Sequence, residues 1–207
     1  MQFFNLATSM ETAHSLHHYW FGGTADDEAG QRQSKLWWGK DARLDAELTE
    51  RFGSLVAAAR SGKLEQWNDS AQGRLALILL TDQLPRNVFR GTPDAFASDP
   101  QARQLCLAGL ERGDDSVLKP IERVFFYLPL EHSESMRDQE HAVRLYTALF
   151  QAVPQSVIEQ YRGFLTYALR HRRVIERFGR FPHRNAILDR QSSPEEAVFL
   201  AEPGSSF

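Results

Sequence analysis

The chain has 207 residues, 42% of them hydrophobic and 25% charged, with a net charge of −3. That balance excludes a disordered or collagen-like chain, and so mild a charge excludes nucleic-acid binding driven by bulk electrostatics. The longest apolar run is the six residues 75–80, against the ~20 needed to cross a bilayer, so neither a membrane span nor a membrane partner is expected.

The opening residues, MQFFNLATSMETAH, lack a basic stretch and carry Glu11 early, so no secretory signal is expected. The single Cys106 excludes an internal disulfide framework and a thiolate zinc site. It fits a reducing cytosol, and the expectation is a cytoplasmic chain with one all-α domain over 1–207. Arginine occurs 20 times and lysine only 4 times. Between positions 161 and 190 eight arginines face only Glu176 and Asp189, a local basic surface on an otherwise acidic chain.

Helical periods dominate from the first segment onward. Ser9 is the expected cap of a helix over 9–20, with Leu16, Tyr19 and Trp20 on one side. A polar break follows over 22–30. Asp41 then opens a helix striped by Leu44, Leu48, Phe52, Leu55, Val56 and Ala59, which Ser61 and Gly62 stop. Residues 71–84 are apolar on every side, the pattern of a helix at the centre of a domain. Pro85 is expected to end it.

Further along, Ser98-Asp99-Pro100 reads as a cap followed by Pro at the first helical position, and Gly113 closes that helix. Pro120 starts the next helix, and Pro129 is expected to end it. A stripe of Ala142, Leu145, Tyr146 and Leu149 follows. The longest helix then runs from beyond Pro154 to the break at Phe181-Pro182, and Ser193-Pro194-Glu195-Glu196 opens the last. With no run of period-two alternation, the expectation is an all-α protein of about eight helices in antiparallel hairpins, without sheet. No 34-residue repeat is visible in the periodicity.

Three polar clusters fall where these helices end. In the first, Asp82 and Gln83 finish the most apolar helix, followed by Arg86, Asn87 and Arg90. A carboxylate there costs several kcal/mol unless paired, so Asp82 is expected to pair with an arginine of its own loop or near Arg180. Arg86, four residues on, suits a structural clamp as well as a ligand site.

In the second cluster, His132 and Glu134 flank Ser133. Adjacent side chains do not make a catalytic triad, so Ser133 reads as a helix cap, while a His with a nearby Glu is the pair that can move protons. The third holds His171 on an apolar stripe, where it is a core or a ligand residue, then Arg180, His183, Arg184 and Asn185 within six positions. That loop can clamp an anion, or satisfy the carbonyls that end the preceding helix. No metal is expected: His14, His17 and His18 have no acidic partner at a ligand spacing, and no His-Glu-x-x-His occurs.

Taken together, Asp82-Gln-x-Pro-Arg-Asn-x-Phe-Arg-Gly91, Leu128-Pro-x-x-His-Ser-Glu134 and Arg177-Phe-Gly-Arg-Phe-Pro-His-Arg-Asn185 resemble the signature of the bacterial "domain of unknown function 924" family. The likeness extends from Tyr19-Trp-Phe-Gly22 to Glu195-Glu-x-x-Phe-Leu200. It implies a tetratricopeptide-like arrangement of helical hairpins, and it brings no reaction or cofactor with it. One departure stands out: Leu188-Asp189-Arg190 replaces the Leu-Gly-Arg that the family pattern implies, so Asp occupies a turn suited to Gly.

The residues support two readings of function. One is an enzyme or binding protein for an anionic small molecule, with His132, Glu134 and His183 as catalytic candidates. In that reading Asp82, Gln83, Arg86, Asn87, His171, Arg180, Arg184 and Asn185 contact the ligand. The other is a helical scaffold whose arginines meet a partner peptide. The first places the three loops around one pocket, the second spreads them along an open groove, and neither identifies a cofactor.

Overall fold

The computed structural model describes residues 11–23 and 28–205, and within them every regular element is helical. In chain order these are α1 (Ala13–Phe21), α2 (Ala29–Trp38), α3 (Ala42–Arg60), α4 (Ala71–Ile78), α5 (Leu84–Val88), α6 (Asp99–Arg112), α7 (Pro120–Glu131), α8 (Met136–Ala152), α9 (Ile158–Phe178) and α10 (Pro194–Leu200). The expected cap Ser9 lies outside the described residues. Within them Thr12 caps α1, accepting the Ser15 N–H at 3.2 Å while Ser15 bonds back to the Thr12 N–H at 2.7 Å.

The apolar segment over 71–84 does occupy the centre. Its residues from Gly73 to Pro85 are all buried, and α1, α3, α6 and α7 pack around it. It does not end at Pro85. Between α4 and α5 the rod widens into a π-helical turn over Leu79–Gln83, where the Leu84 N–H reaches back five residues to the Leu79 carbonyl. Pro85 thereby falls at the start of a fresh helical segment, where its missing N–H costs nothing, so the rod continues to Val88.

Pro129 likewise lies inside α7, which runs on to Glu131 and closes with His132 N–H on the Leu128 carbonyl at 2.8 Å. Buried Leu128 and Leu130 on either side supply the packing that offsets the bond Pro129 loses. Ser133 is not a cap either: its hydroxyl donates to Asp138 at 2.6 Å, and the N-cap of α8 is Ser135.

Helix α2 has no counterpart in the periodicity. Only Ala29, Leu36 and Trp37 of its ten residues are buried, too few to print an apolar stripe. It is held from outside its own sequence, by Trp37 Nε1 donating to the Trp20 carbonyl at 2.8 Å and by Trp37 packing edge-on to Phe125 with 4.6 Å between ring centres. At Gly109 of α6 an added Cβ would meet Arg74 and Phe126 side-chain atoms at 2.5 Å, so glycine sets how closely α6 approaches α4 and α7.

The connection over 132–135 folds α8 back along α7, and α9 then packs along α8. A small apolar group of Val174, Ile175 and Phe181, with Met136, Phe178 and Phe199, carries the end of α9 and α10. In the intervening loop Asp189 takes φ +51°, the sole non-glycine with positive φ among the described residues. A left-handed L-residue costs ~1–2 kcal/mol, of which glycine would return part through its greater freedom when unfolded. Asp189→Gly is therefore expected to stabilise the protein by about 0.5 kcal/mol, read as a higher urea midpoint. A lower midpoint would show that the turn needs the Asp side chain.

Candidate functional site

The π-helical turn places Asp82 against the end of α7. Asp82 is fully buried, and its carboxylate meets His132 Nδ1 at 2.8 and 3.0 Å and Gln83 Nε2 at 2.5 Å. Arg86, one helical turn later, bonds the Asp82 carbonyl and stands 3.5 Å from the carboxylate. Burial opposes ionisation of Asp82, but the Arg86 charge and the His132 and Gln83 hydrogen bonds outweigh it, holding the carboxyl well below the usual carboxylate range. His132 shifts the other way: burial and Arg86 lower it, against the pull of Asp82, so it is neutral at pH 7.

A second carboxylate, Asp99 at the start of α6, ties the first loop to the third. Arg86 grips it with both terminal nitrogens at 3.0 and 3.1 Å, and Arg184 adds a third bond at 3.2 Å. Arg184 also donates to the His132 carbonyl at 3.0 Å, and its guanidinium lies over the rings of Phe96 and Phe181 at 4.8 and 4.6 Å. Burial and the nearby Arg86 push Arg184 down to about 10, which leaves it protonated at neutral pH.

Glu134 fixes the third loop from beneath. It takes two bonds from Arg190 at 2.8 and 3.0 Å and the Phe181 N–H at 2.8 Å. His171 is buried, with its ring centre 6.0 Å from that of His132, and burial holds it well below an ordinary imidazole. His183 packs on Phe181 at 5.5 Å, and burial, the Arg184 charge and the neighbouring His132 push it to about 3. Beneath them His171 Nδ1 lies 3.0 Å from Glu131, whose carboxyl is raised to about 8 by burial and by the charge of Asp82. The contact therefore joins a neutral carboxyl to a neutral imidazole, not two ions.

Six of the sequence candidates thus meet in one place: Asp82, Gln83, Arg86, His132, His171 and Arg184. His183 stands beside them, and Glu134 braces them from below. Four residues of these loops do not join them. Asn87 and Arg90 turn outward to Asp45, Asn87 at 2.9 Å. Arg180 pairs with Glu196 at 2.6 and 2.7 Å, and Asn185 bonds Ser192 at 3.1 Å and Glu196 at 3.3 Å, so these two fasten α10. Of the two sources expected for the partner of Asp82, its own loop supplies it: Arg86 stands 3.5 Å away, joined by His132 at 2.8 Å, while Arg180 goes to Glu196.

Sequence reasoning missed Asp99, which reads as a capping residue, and also Phe96, Arg190 and Glu131. Among the described residues no three metal-binding side chains gather. His17 meets Glu122 at 2.5 Å, apart from His14 and His18. Two concavities lie elsewhere on the surface. One of about 420 Å³ is lined by Gly30, Gln31, Ser34, Trp38, Gln160 and Phe164, and one of about 1000 Å³ runs beside α1 and α2. The charged cluster is a dense network that still reaches solvent, where Arg86, Asp99, His132 and Glu134 retain side-chain exposures of 20, 18, 14 and 29%.

An all-helical chain with a buried ionic network at the meeting of three loops is the class that this geometry defines. The chain belongs to the family of bacterial proteins of unknown function designated DUF924, whose model matches residues 16–204. It is also similar to a solved structure of a protein of unknown function, ATU0120 from Agrobacterium tumefaciens, at 38% identity. The alignment covers 91% of this chain and 96% of that one, with a TM-score of 0.77. No curated protein matches.

Proposed function

We propose that the protein binds a small anionic molecule, carrying a carboxylate or phosphate, at the mouth formed by Arg86, Arg184 and His132. The observation that carries this reading is a pair of guanidiniums sharing one carboxylate. Arg86 and Arg184 both bond Asp99, and the buried Arg184 Nε has no acceptor among the described residues. A buried charged donor without an acceptor costs ~1–3 kcal/mol, and an incoming anion supplies the acceptor. The Asp99 carboxylate, bonded by both guanidiniums, supports a carboxylate-like ligand and is the group an incoming anion competes with.

A thermal-shift and calorimetric screen against acetate, citrate, phosphate and sugar phosphates tests this, because a ligand of the folded state alone raises the melting temperature. At least one of these anions is expected to bind, Arg184→Gln to abolish binding, and Asp99→Asn to strengthen it about tenfold by freeing both arginines. No binding to the wild type or to Asp99→Asn, with Arg184→Gln lowering only the melting temperature, would make the network a brace. Binding of acidic peptides in place of all small anions would favour a partner-peptide scaffold.

A further inference from the structure

We propose that His132 is a general acid–base residue acting through Nε2, with Asp82 as its positioning residue, on a small anion whose hydroxyl proton lies at that nitrogen. The substrate class rests on the anion-site reading above; the proton chemistry rests on separate observations. Asp82 offers only acceptors when ionised, so His132 Nδ1, at 2.8 Å, must carry a proton and donate it. In the neutral ring the lone pair then belongs to Nε2, which makes no hydrogen bond to any described residue and is not among the buried, unpartnered atoms. The nitrogen able to take a proton is therefore the one that keeps contact with solvent.

The partner that fixes this tautomer is held with unusual firmness for a lone carboxylate. Asp82 is enclosed in the π-helical turn, and Arg86 and Gln83 occupy its remaining bonding directions. A helix cap or a surface clamp needs none of this enclosure, whereas a base must be oriented through its second nitrogen. The groups facing His132 are Asp82 and Arg86 from the central rod, Asp99 from α6, His171 from α9, and Arg184 and His183 from the loop after α9.

In the step proposed, the Nε2 lone pair takes the hydroxyl proton and the O–H electron pair stays on oxygen. The imidazolium so formed is neutralised by Asp82, while Arg86 and Arg184 hold the anionic group. The reverse transfer returns the proton from Nε2 to oxygen.

Two measurements on the full-length chain test this without a known substrate. Long-range nitrogen–proton NMR of imidazole-labelled protein should show His132 neutral at pH 7 as the Nδ1–H tautomer. Diethyl pyrocarbonate should acylate His132 at Nε2, mapped by peptide mass, and Asp82→Asn should slow that labelling at least fivefold while exposed His14 and His18 react unchanged. An Nε2–H tautomer, a cationic ring at pH 7, or an unreactive His132 in folded wild-type protein would overturn the inference. The NMR reading needs no variant, so it stands if Asp82→Asn does not fold. Citrate or phosphate protecting His132 supports the anion site as well. Reactivity without protection by any anion removes the substrate class and leaves the base, whereas anion binding with an inert His132 removes the base and leaves the anion site.

Discussion

Replacing Phe125 with alanine is expected to cost about 3–5 kcal/mol, the range for removing a fully buried aromatic ring whose surroundings cannot collapse. Phe125 has no exposed surface and sits among four aromatic neighbours. Trp20, Phe21 and Trp37 meet it edge-on at 5.7, 5.5 and 4.6 Å, and Trp38 stacks on it at 5.8 Å with only 11° between the rings. These partners belong to α1 and α2, so the ring on α7 ties both amino-terminal helices to the core, beside the packing of α1 on the central rod. For a chain of this size the loss corresponds to a fall in Tm of roughly 6–20 °C. Calorimetry reads the fall, and the fluorescence of half-exposed Trp38 should change with it. A cost below 1 kcal/mol, near that expected for exposed Val198→Ala, would show that α1 and α2 are anchored elsewhere.

Asp82→Asn is expected to destabilise the protein by about 3 kcal/mol at pH 7, since removing one partner of a buried pair strands the other charge. Arg86 keeps Asp99, which limits the loss, but His132 Nδ1–H loses its ionic acceptor. The sign with pH follows from the depressed carboxyl of Asp82. Its contribution is present above the unfolded carboxylate value of ~3.9 and is lost as pH falls toward the lower folded value. The gap between wild type and variant should therefore be flat from pH 5 to 8 and should narrow below pH 4 in urea titrations. A gap that opened only above pH 6 would assign the stability to histidine titration instead.

The sequence made the three loops legible because each announces itself chemically: a carboxylate ending an apolar helix, a His-Ser-Glu after a proline, and clustered arginines around Gly179 and Pro182. The helical class was equally plain from apolar spacing in α3, α6 and α9. Asp99 was hidden because its position, before a proline at a helix start, is fully explained by capping. Its grip on Arg86 and Arg184 crosses 13 and 85 residues and leaves no local mark. Arg180 and Arg184 looked like one clamp, yet the left-handed Gly179 and the turn at Pro182 send them to opposite sides, one to Glu196 and one to Asp99. Helix α2 escaped because tertiary contacts to Trp20 and Phe125 hold a segment with little pattern of its own.

The widened turn at Leu79–Gln83 is geometrically one residue spliced into a regular helix. At 3.6 residues per turn, each position advances the helix by ~100°. Deleting a single residue there would let the rod run as an unbroken α-helix, with its apolar surface still available for burial, but would swing Arg86 and everything after it a quarter-turn or more around the axis. The charged cluster would be dismantled while the core built on the rod before the turn survived. The spacing between the buried rod and its arginine is thus set by a single codon, and chains of this family that differ by one residue in this segment should carry the same rod with a different polar face.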